Sequence, residues 1–269
     1  MRGARGSGPG PWRGRRAVVT GGASGIGAAL VDALVARGAR VVVLDVAEDT
    51  AARAEAAGAL GLRCDVSEAV QVEAAAARVI AALGGVELLI NNAGVSVAGP
   101  FDEVPAEDFD WLWRINVMGV VHGCRAFLPH LGPGAHIVNT CSAFAWLGFP
   151  GKTAYSASKA AVRAFSEALR AELAPRGVGV TLLFPGPVDT AILRQGRATD
   201  PAQREAEVAF LARRSVPPER VAARCLRAVE RNQTRVLVSL DYLMLDILAR
   251  LSPSLALWLV TRLSRRMPF

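Results

Sequence analysis

The chain has 269 residues, of which 52% are hydrophobic and 20% charged. This composition excludes an intrinsically disordered protein and allows one large buried core. The net charge of +7 suggests a nucleic-acid interface, but eight arginines lie in the first sixteen and last eight residues, leaving 23 basic against 24 acidic residues elsewhere. We therefore expect a near-neutral folded body with no nucleic-acid partner.

The four cysteines and three histidines have no paired or metal-ligand spacing. This usage predicts no metal site and a reduced, cytoplasmic compartment. Residues 1–14 are rich in Arg, Gly and Pro and lack an apolar core, so they are interpreted as a disordered basic arm rather than a secretory signal. The sequence has no uninterrupted run of 18 apolar residues. We therefore expect no membrane-spanning helix.

From residue 16 onward, short apolar runs rich in β-branched residues alternate with helical patterns. The predicted strands are 16–20, 40–45, 60–64, 86–91, 135–139, 179–184 and 235–239. The predicted helices are 28–37, 47–57, 67–83, 106–130, 152–174, 201–213 and 218–231. This alternation predicts an α/β fold, a single Rossmann-type doubly wound parallel sheet of about seven strands with helices on both faces. We assign it to one domain, 15–240.

Two segments depart from the alternation. Residues 187–215 are Arg-rich and irregular, and they are interpreted as a lid over the substrate. Residues 241–269 form an apolar C-terminal extension, predicted to be helical and broken at Pro253. We expect it to pack on the body or on another subunit. A hairpin beside a lipophilic pocket, or a peripheral membrane contact, is the less favoured alternative.

A glycine-rich turn, TGGASGIG at 20–27, joins the first strand to the first helix. Glycines there let the backbone approach a pyrophosphate, and the helix N-terminus offers it free N–H groups. Asp45 ends the second strand, close to the spacing expected of an acid that binds the adenosine ribose. Because a carboxylate repels a 2′-phosphate, the pattern predicts NAD in preference to NADP. For the glycines alone, an ordinary flexible turn is the alternative.

The pentapeptide YSASK at 155–159 contains one of the two tyrosines and one of the two lysines. On a helix, Tyr155 and Lys159 share one face because they are four residues apart. A nearby ammonium favours the phenolate, so we expect Lys159 to lower the pKa of Tyr155 and make it a general acid–base. A surface helix that carries both residues by chance is the alternative.

Further motifs make the sequence resemble the short-chain dehydrogenase/reductase family, in its single-domain form, over about 15–240. They are the acid Asp65 after the third strand, NNAG at 91–94, Asn116 in a helix, Ser142 after the fifth strand, and Pro185-Gly186 with Val188 and Thr190. The resemblance implies a catalytic tetrad of Asn116, Ser142, Tyr155 and Lys159. It implies cofactor contacts from Gly21, Ser24, Gly25, Ile26, Gly27, Asp45, Asp65, Val66, Asn92, Ala93, Gly94, Tyr155, Lys159, Pro185, Gly186, Val188 and Thr190. It implies substrate contacts from Ser142, Phe144 and Tyr155.

By this resemblance the chain is expected to be an NAD-dependent oxidoreductase that interconverts a secondary alcohol and a ketone on an apolar small molecule. Ser142 would orient the substrate oxygen, Lys159 would also hold the nicotinamide ribose, and Asn116 would support a water. A reductase of a 3-oxoacyl thioester or another carbonyl, and a non-catalytic NAD-binding regulator, remain alternatives. The family implies a homodimer or homotetramer. We expect apolar pocket walls with no obvious cation placed to bind a carboxylate or phosphate of the substrate, although Arg194, Arg197, Arg213 and Arg214 of the lid could do so. A solvated face is the alternative for these arginines.

Overall fold

A computed structural model describes residues 11–188, 192, 196–212 and 215–264. Its strands are β1 Arg16–Thr20, β2 Arg40–Asp45, β3 Leu60–Arg63, β4 Leu88–Asn91, β5 Val97–Ala98, β6 His136–Thr140, β7 Gly179–Phe184, β8 Arg197–Ala198 and β9 Arg235–Leu237. Its helices are α1 Gly25–Val35, α2 Thr50–Ala56, α3 Ala69–Leu83, α4 Ala106–Trp113, α5 Gly119–Phe127, α6 Thr153–Leu173, α7 Pro201–Ala212, α8 Pro218–Glu230, α9 Leu240–Leu251 and α10 Pro253–Ser264.

Seven strands form one sheet in the order β3-β2-β1-β4-β6-β7-β9, and every neighbouring pair is parallel. The chain order reverses between β1 and β4. In open α/β sheets, ligands bind beyond the carboxyl ends of the strands at such a switch point. The predicted fold is therefore confirmed, and the topology places a ligand cleft after β1 and β4.

The core consists of two hydrophobic layers, one on each face of the sheet. On one face, α1 and α8 bury residues such as Leu30 and Leu226 against the strands. On the other, α3, α5 and α6 bury Val79, Phe127 and Leu169. Burial on both faces explains why β2 and β7 are continuous apolar runs instead of alternating ones.

The predicted disordered arm, 1–14, needs correction at its end. Trp12 is only 2% exposed and belongs to the same core layer as α1 and α8. Its indole N–H donates to the Glu230 carboxylate, and the Gly14 N–H donates to the Gly38 carbonyl. Residues 11–14 are held because a large aromatic side chain is buried; residues 1–10 lie outside the described part of the chain.

A second, two-stranded sheet was not predicted. Its strands, β5 and β8, pair in parallel and join the segment after β4 to the presumed lid. Gly99, with φ of +145°, follows β5; a Cβ there would lie 2.4 Å from the Thr199 hydroxyl. Two-residue strands are too short to show a periodicity, so no sequence pattern could reveal them.

The C-terminal extension forms two helices, α9 and α10, that meet at Pro253. One side of this hairpin packs on the body, where Ala256 and Val260 are buried with Leu147. The helical character and the break at Pro253 are as expected. Among the described residues, no helix is both long and apolar enough to cross a membrane.

Candidate active site

A cleft of about 470 Å³ opens beyond the carboxyl ends of β1, β2, β4 and β6. It is lined by most of the residues that the sequence assigns to a site. These are Gly21, Ser24, Gly25, Ile26, Asp45, Asp65, Val66, Asn92, Ala93, Gly94, Ser142, Phe144, Tyr155, Lys159, Pro185, Gly186 and Val188. Gly27 and Asn116 do not line the cleft themselves but contact residues that do, Gly21 and Val95 respectively. Thr190 lies outside the described residues.

The glycine turn is tied to the segment after β4. The Thr20 hydroxyl accepts hydrogen bonds from the N–H groups of Asn92 and Ala93, at 3.0 and 3.1 Å. The Asn92 amide donates to the Gly21 carbonyl at 3.1 Å. A Cβ on Gly27 would lie 1.9 Å from the same carbonyl, so glycine is needed for this approach. The two backbone segments together form a fixed, shallow cradle.

Asp45 is positioned by backbone donors at the end of β2. Its two carboxylate oxygens accept hydrogen bonds from the N–H groups of Ala23 and Ala47, at 2.9 and 3.1 Å. These bonds hold the negative charge beside the glycine turn. Sequence reasoning missed one cation here: Arg53 donates to the Ala23 carbonyl, and its charge is compensated by Asp49 at 2.7 Å.

The segment after β3 forms the opposite wall of this half of the cleft. The Asp65 carboxylate accepts the Ser67 N–H at 2.9 Å, a local turn that fixes its orientation. The Val66 carbonyl contacts the His122 ring nitrogen at 2.9 Å, which ties the wall to α5. Both residues therefore line the cleft from a braced loop.

Asn116 lies in a wide helical turn, residues 114–118, between α4 and α5. Its amide oxygen accepts the Val95 N–H at 2.8 Å, and its amide nitrogen donates to the Val95 carbonyl and the Ser158 hydroxyl. Turns of this π type are often found at functional sites. The predicted helix 106–130 is thus interrupted at the predicted catalytic asparagine, which here braces the cleft wall against α6.

Tyr155 and Lys159 lie in the first two turns of α6 and line the cleft together. The Lys159 ammonium is 5.8 Å from the centre of the Tyr155 ring and donates to the Thr140 carbonyl at 3.0 Å. The shared helix face is therefore as predicted. The ammonium is also anchored at the end of β6, under the cleft floor.

The pKa of Tyr155 differs from the sequence expectation. Burial of the hydroxyl raises the pKa of Tyr155, a hydrogen bond with Ser142 lowers it in part, and the Glu207 charge raises it again. Burial also lowers the pKa of Lys159. The predicted lowering of the phenol pKa is not found in this arrangement, because loss of hydration outweighs the hydrogen bond with Ser142.

Ser142 and Phe144 shape the substrate end of the cleft. The Ser142 hydroxyl accepts a hydrogen bond from the Phe144 N–H at 3.3 Å, so it also caps a short helical turn. The Phe144 ring meets the Tyr155 ring edge-on, with 5.8 Å between centres. Two hydrogen-bonding hydroxyls and an aromatic wall thus converge at one point of the cleft.

Sequence reasoning missed a buried ion pair in the same cleft. Lys152, which directly precedes α6, contacts Glu207 of α7 at 2.7 Å, and their side chains are 3% and 4% exposed. Lys152 is therefore a cleft cation that the sequence analysis did not name. Among the lid arginines, Arg197 pairs with Asp108, and Arg194, Arg213 and Arg214 lie outside the described residues. Lys152 is one of only two lysines and lies three residues before Tyr155, a helical spacing that could have revealed it. No local signal points to Glu207.

The segment after β7 completes the cleft beside α6. Pro185 and Gly186 line it, and Gly186 has a φ of +88°, which favours glycine. Val188 lines the cleft while packing on the core layer of α8. The lid predicted at 187–215 contributes Ile192 and Glu207; several of its other residues lie outside those described.

The geometry fits a nicotinamide dinucleotide. The Ser24 side chain caps no N–H within the described residues. Gly25 and Ile26 line the cleft, so the first turn of α1 offers backbone donors and its positive dipole end to a pyrophosphate. Asp45 lies where an acid would meet the adenosine ribose, and Tyr155 and Lys159 lie at the opposite end. These groups are suited to bind a dinucleotide along the carboxyl edge of the sheet.

Comparison with known proteins decides the family. A family model described as short chain dehydrogenase matches residues 15–201. This chain belongs to the short-chain dehydrogenase/reductase family. SadH of Mycobacterium tuberculosis, named as an oxidoreductase, is 38% identical over 256 residues, covering 90% of this chain and 92% of SadH. The 2-(R)-hydroxypropyl-CoM dehydrogenase of Xanthobacter autotrophicus is 36% identical, covering 75% of this chain and 85% of that enzyme.

A further relative is much longer. EphD of Mycobacterium tuberculosis, also named as an oxidoreductase, is 40% identical over 232 residues, which cover 80% of this chain but 39% of EphD. The match therefore spans well under half of that relative.

Solved structures agree on the fold of this short-chain dehydrogenase/reductase. A family member from Burkholderia phymatum in complex with NAD superposes with a TM-score of 0.83 at 33% identity, covering 91% of this chain and 96% of that one. A member from Burkholderia cenocepacia in complex with NADP gives 0.71 at 35% identity, covering 81% and 91%. The two neighbouring structures therefore hold different dinucleotides, NAD in one and NADP in the other.

Proposed function

We propose that this enzyme is an NAD-dependent oxidoreductase that interconverts a secondary alcohol and a ketone on an apolar small molecule. The observation that carries the proposal is the convergence of Tyr155, Lys159 and Ser142 on the cleft that also holds the glycine turn and Asp45. The relative named 2-(R)-hydroxypropyl-CoM dehydrogenase supports alcohol–ketone chemistry. The aromatic and aliphatic walls support an apolar substrate.

The side chains of the cleft have distinct roles. Ser142 orients the substrate oxygen by hydrogen bonding, and Tyr155 gives that oxygen a proton or takes one from it. Lys159, anchored at the Thr140 carbonyl, places positive charge beneath the phenol and toward the nicotinamide ribose. Asn116 keeps the wall at Val95 in place. Bound nicotinamide supplies hydride transfer to or from the substrate carbon, and the protein orients it.

The preference for NAD rests on Asp45. Its carboxylate is fixed by two backbone N–H groups beside the glycine turn, where it accepts ribose hydroxyls and repels a 2′-phosphate. Arg53, the nearby cation, is compensated by Asp49.

We therefore predict that kcat/KM with NAD exceeds that with NADP, and that Asp45→Ala shifts the ratio toward NADP by roughly tenfold or more. Steady-state assays with both cofactors measure the ratio. Glu55→Ala is the matched control, because it removes an exposed carboxylate of α2 and leaves the Asp49–Arg53 pair in place. A wild-type enzyme that prefers NADP would overturn the assignment.

The substrate class needs a direct screen. NADH fluorescence on mixing the enzyme with NAD and a panel of secondary alcohols, from short aliphatic to aryl and steroidal ones, measures turnover. We expect turnover with apolar members. Activity confined to NADH-driven reduction of 3-oxoacyl thioesters would favour that alternative. Dinucleotide binding without turnover across both panels would favour the regulator.

Two further expectations concern the oligomeric state and the cellular location. Assembly as a homodimer or homotetramer through the predicted helices 106–130 and 152–174 is an expectation from the family, and light scattering tests it. A cytoplasmic, reducing location is supported by four cysteines that are all buried as free thiols.

A further inference from the structure

A basic stripe follows the outer face of α8. Arg220, Arg224, Arg227 and Arg231 are spaced so that they lie in one line along the helix. They line a groove together with Arg235 of β9, and no carboxylate is among the described residues that line it. Arg235 is compensated by Glu167 and Asp246. Within the described part of the chain, the other four arginines form no ion pair.

An apolar face adjoins this stripe. Leu243 of α9 lines the same groove and is 41% exposed, and Met244, Ile247 and Leu251 are 70%, 47% and 80% exposed. Their spacing places all four within one side of the helix. Large apolar residues that cluster on a surface mark an interaction site more often than isolated ones do.

The neighbouring helix α10 has the same character. Leu255 and Trp258 are 45% and 54% exposed, and the Arg262 guanidinium lies 5.4 Å from the Trp258 ring. The opposite side of the hairpin is the one that packs on the body, through Ala256 and Val260. The exposed leucines are therefore not needed to close the core.

We propose that this surface, formed by the basic stripe of α8 and the apolar face of α9, docks on an anionic lipid surface. Phosphate headgroups would meet the arginines while the leucines, with Trp258, enter the boundary of the acyl chains. The basic stripe and the apolar face would then both contact the same partner.

Two other occupants use the patch less well. A second copy of this chain would bring another row of arginines and no carboxylate from the groove, so like charges would face each other. A nucleic acid would neutralise the arginines but leave Met244 and Leu251 in contact with water. Charge and apolarity together favour the lipid surface.

The position of the hairpin relates docking to the cleft. Trp146, Leu147 and Phe149 pack in one cluster with α9 and α10, and they follow Ser142 along the chain. A docked lipid surface would therefore lie next to the loop that bounds the substrate end of the cleft. The docking proposal itself does not depend on the identity of the substrate or on turnover.

The test is vesicle flotation of the full-length protein with phosphatidylcholine alone and with about 30% phosphatidylglycerol added. We expect the anionic vesicles to retain the protein at low salt, with retention falling as salt rises. Arg227→Gln/Arg231→Gln and Met244→Ser/Ile247→Ser should each weaken partitioning roughly tenfold or more.

The matched control removes one arginine and one apolar residue from another exposed helix surface. Val70→Ser/Arg78→Gln changes two exposed residues of α3 and should leave partitioning unchanged. Circular dichroism and dinucleotide binding establish that each variant is folded. Failure of the wild type to float with anionic vesicles overturns the proposal.

Two more results contradict it. Loss of a wild-type oligomer in the Met244→Ser/Ile247→Ser variant, measured by light scattering without vesicle binding, would show that a second copy covers the face. Binding to duplex DNA that depends on Arg227 and Arg231 but not on Met244, again without flotation, would show that the stripe serves a nucleic acid.

Discussion

The pKa of Tyr155 shows that proximity to a cation and burial of the phenol have to be judged separately. The sequence correctly places Lys159 on the same helix face, but the ammonium lies 5.8 Å from the ring centre and donates to a backbone carbonyl. Loss of hydration then raises the pKa of the Tyr155 phenol. Spacing along a helix predicts proximity, whereas the pKa depends on how much water the fold removes.

This protonation state predicts different pH profiles for the two reaction directions. Ketone reduction uses the neutral phenol as the acid, so kcat/KM for reduction should stay flat across about pH 6–8. Alcohol oxidation uses the phenolate, so its kcat/KM should rise with pH over the same range. Steady-state kinetics in both directions measure this. An oxidation rate that falls as pH rises would contradict the assignment of Tyr155 as the base.

At the scale of elements, the Lys152–Glu207 pair joins the beginning of α6 to α7 of the lid. Burial lowers the pKa of Lys152, and the Glu207 carboxylate opposes this shift. A buried ion pair contributes little net stability, but removing one partner leaves an uncompensated charge in a medium of low polarity.

We predict that Glu207→Leu lowers the free energy of unfolding by about 3 kcal/mol, because the Lys152 ammonium is left unpaired. The double variant Lys152→Met/Glu207→Leu should recover most of that loss, since no charge remains. Urea unfolding of the wild type and both variants measures the effect. Equal stability of the wild type and Glu207→Leu would show that the pair opens to water.

The strands of the main sheet were predictable because they are continuous apolar runs. The helices that pack on it were predictable because glycines or prolines end their helical patterns. The wide turn at Asn116 was not, because residues 114–118 continue a helical pattern and differ only in their hydrogen bonding. The pairing of β5 with β8 brings together residues about a hundred positions apart. Such contacts depend on tertiary packing that a local pattern does not contain.

At the scale of the whole molecule, parallel topology brings the ends of β1, β2, β4, β6 and β7 to one edge of the sheet. The glycine turn, Asp45, the NNAG motif, Ser142 and Pro185-Gly186 end or follow these strands, which is why this part of the site could be assembled from the sequence. Asn116, Tyr155 and Lys159 lie in helical segments instead. Glu207, from a helix of the lid, follows none of these strands. Trp12 was likewise missed, because its burial requires α8, more than two hundred residues later.

The core also contains a titratable group that couples folding to pH. His136, at the start of β6, contacts the Thr181 hydroxyl through Nε2 at 2.7 Å, and Thr181 itself donates to the Gln233 carbonyl. The hydroxyl has one proton, which goes to the Gln233 carbonyl, so Nε2 carries a proton and is the donor to Thr181. Burial lowers the pKa of His136 to about 4 from an ordinary 6.5.

The unfolded chain binds this proton more tightly than the folded one. The contribution of His136 to the free energy of unfolding is therefore fully present above about pH 6.5 and is lost as pH drops toward 4. We predict a loss of about 3 kcal/mol from His136 over this window. His136→Gln keeps a donor for Thr181 but cannot titrate, so its unfolding free energy should fall less between pH 7 and 4.5. Equal losses in the two proteins would show that His136 does not couple folding to pH.

The central claim is that Tyr155 transfers the proton in a nicotinamide-dependent alcohol–ketone reaction. Its most direct test is single-turnover NADH formation by the wild type and Tyr155→Phe on the best substrate of the alcohol panel, with NAD affinity measured in parallel. We predict that Tyr155→Phe loses at least about a thousandfold in rate while binding NAD nearly as tightly as the wild type. A variant that retains more than about a tenth of the wild-type rate would show that another group moves the proton.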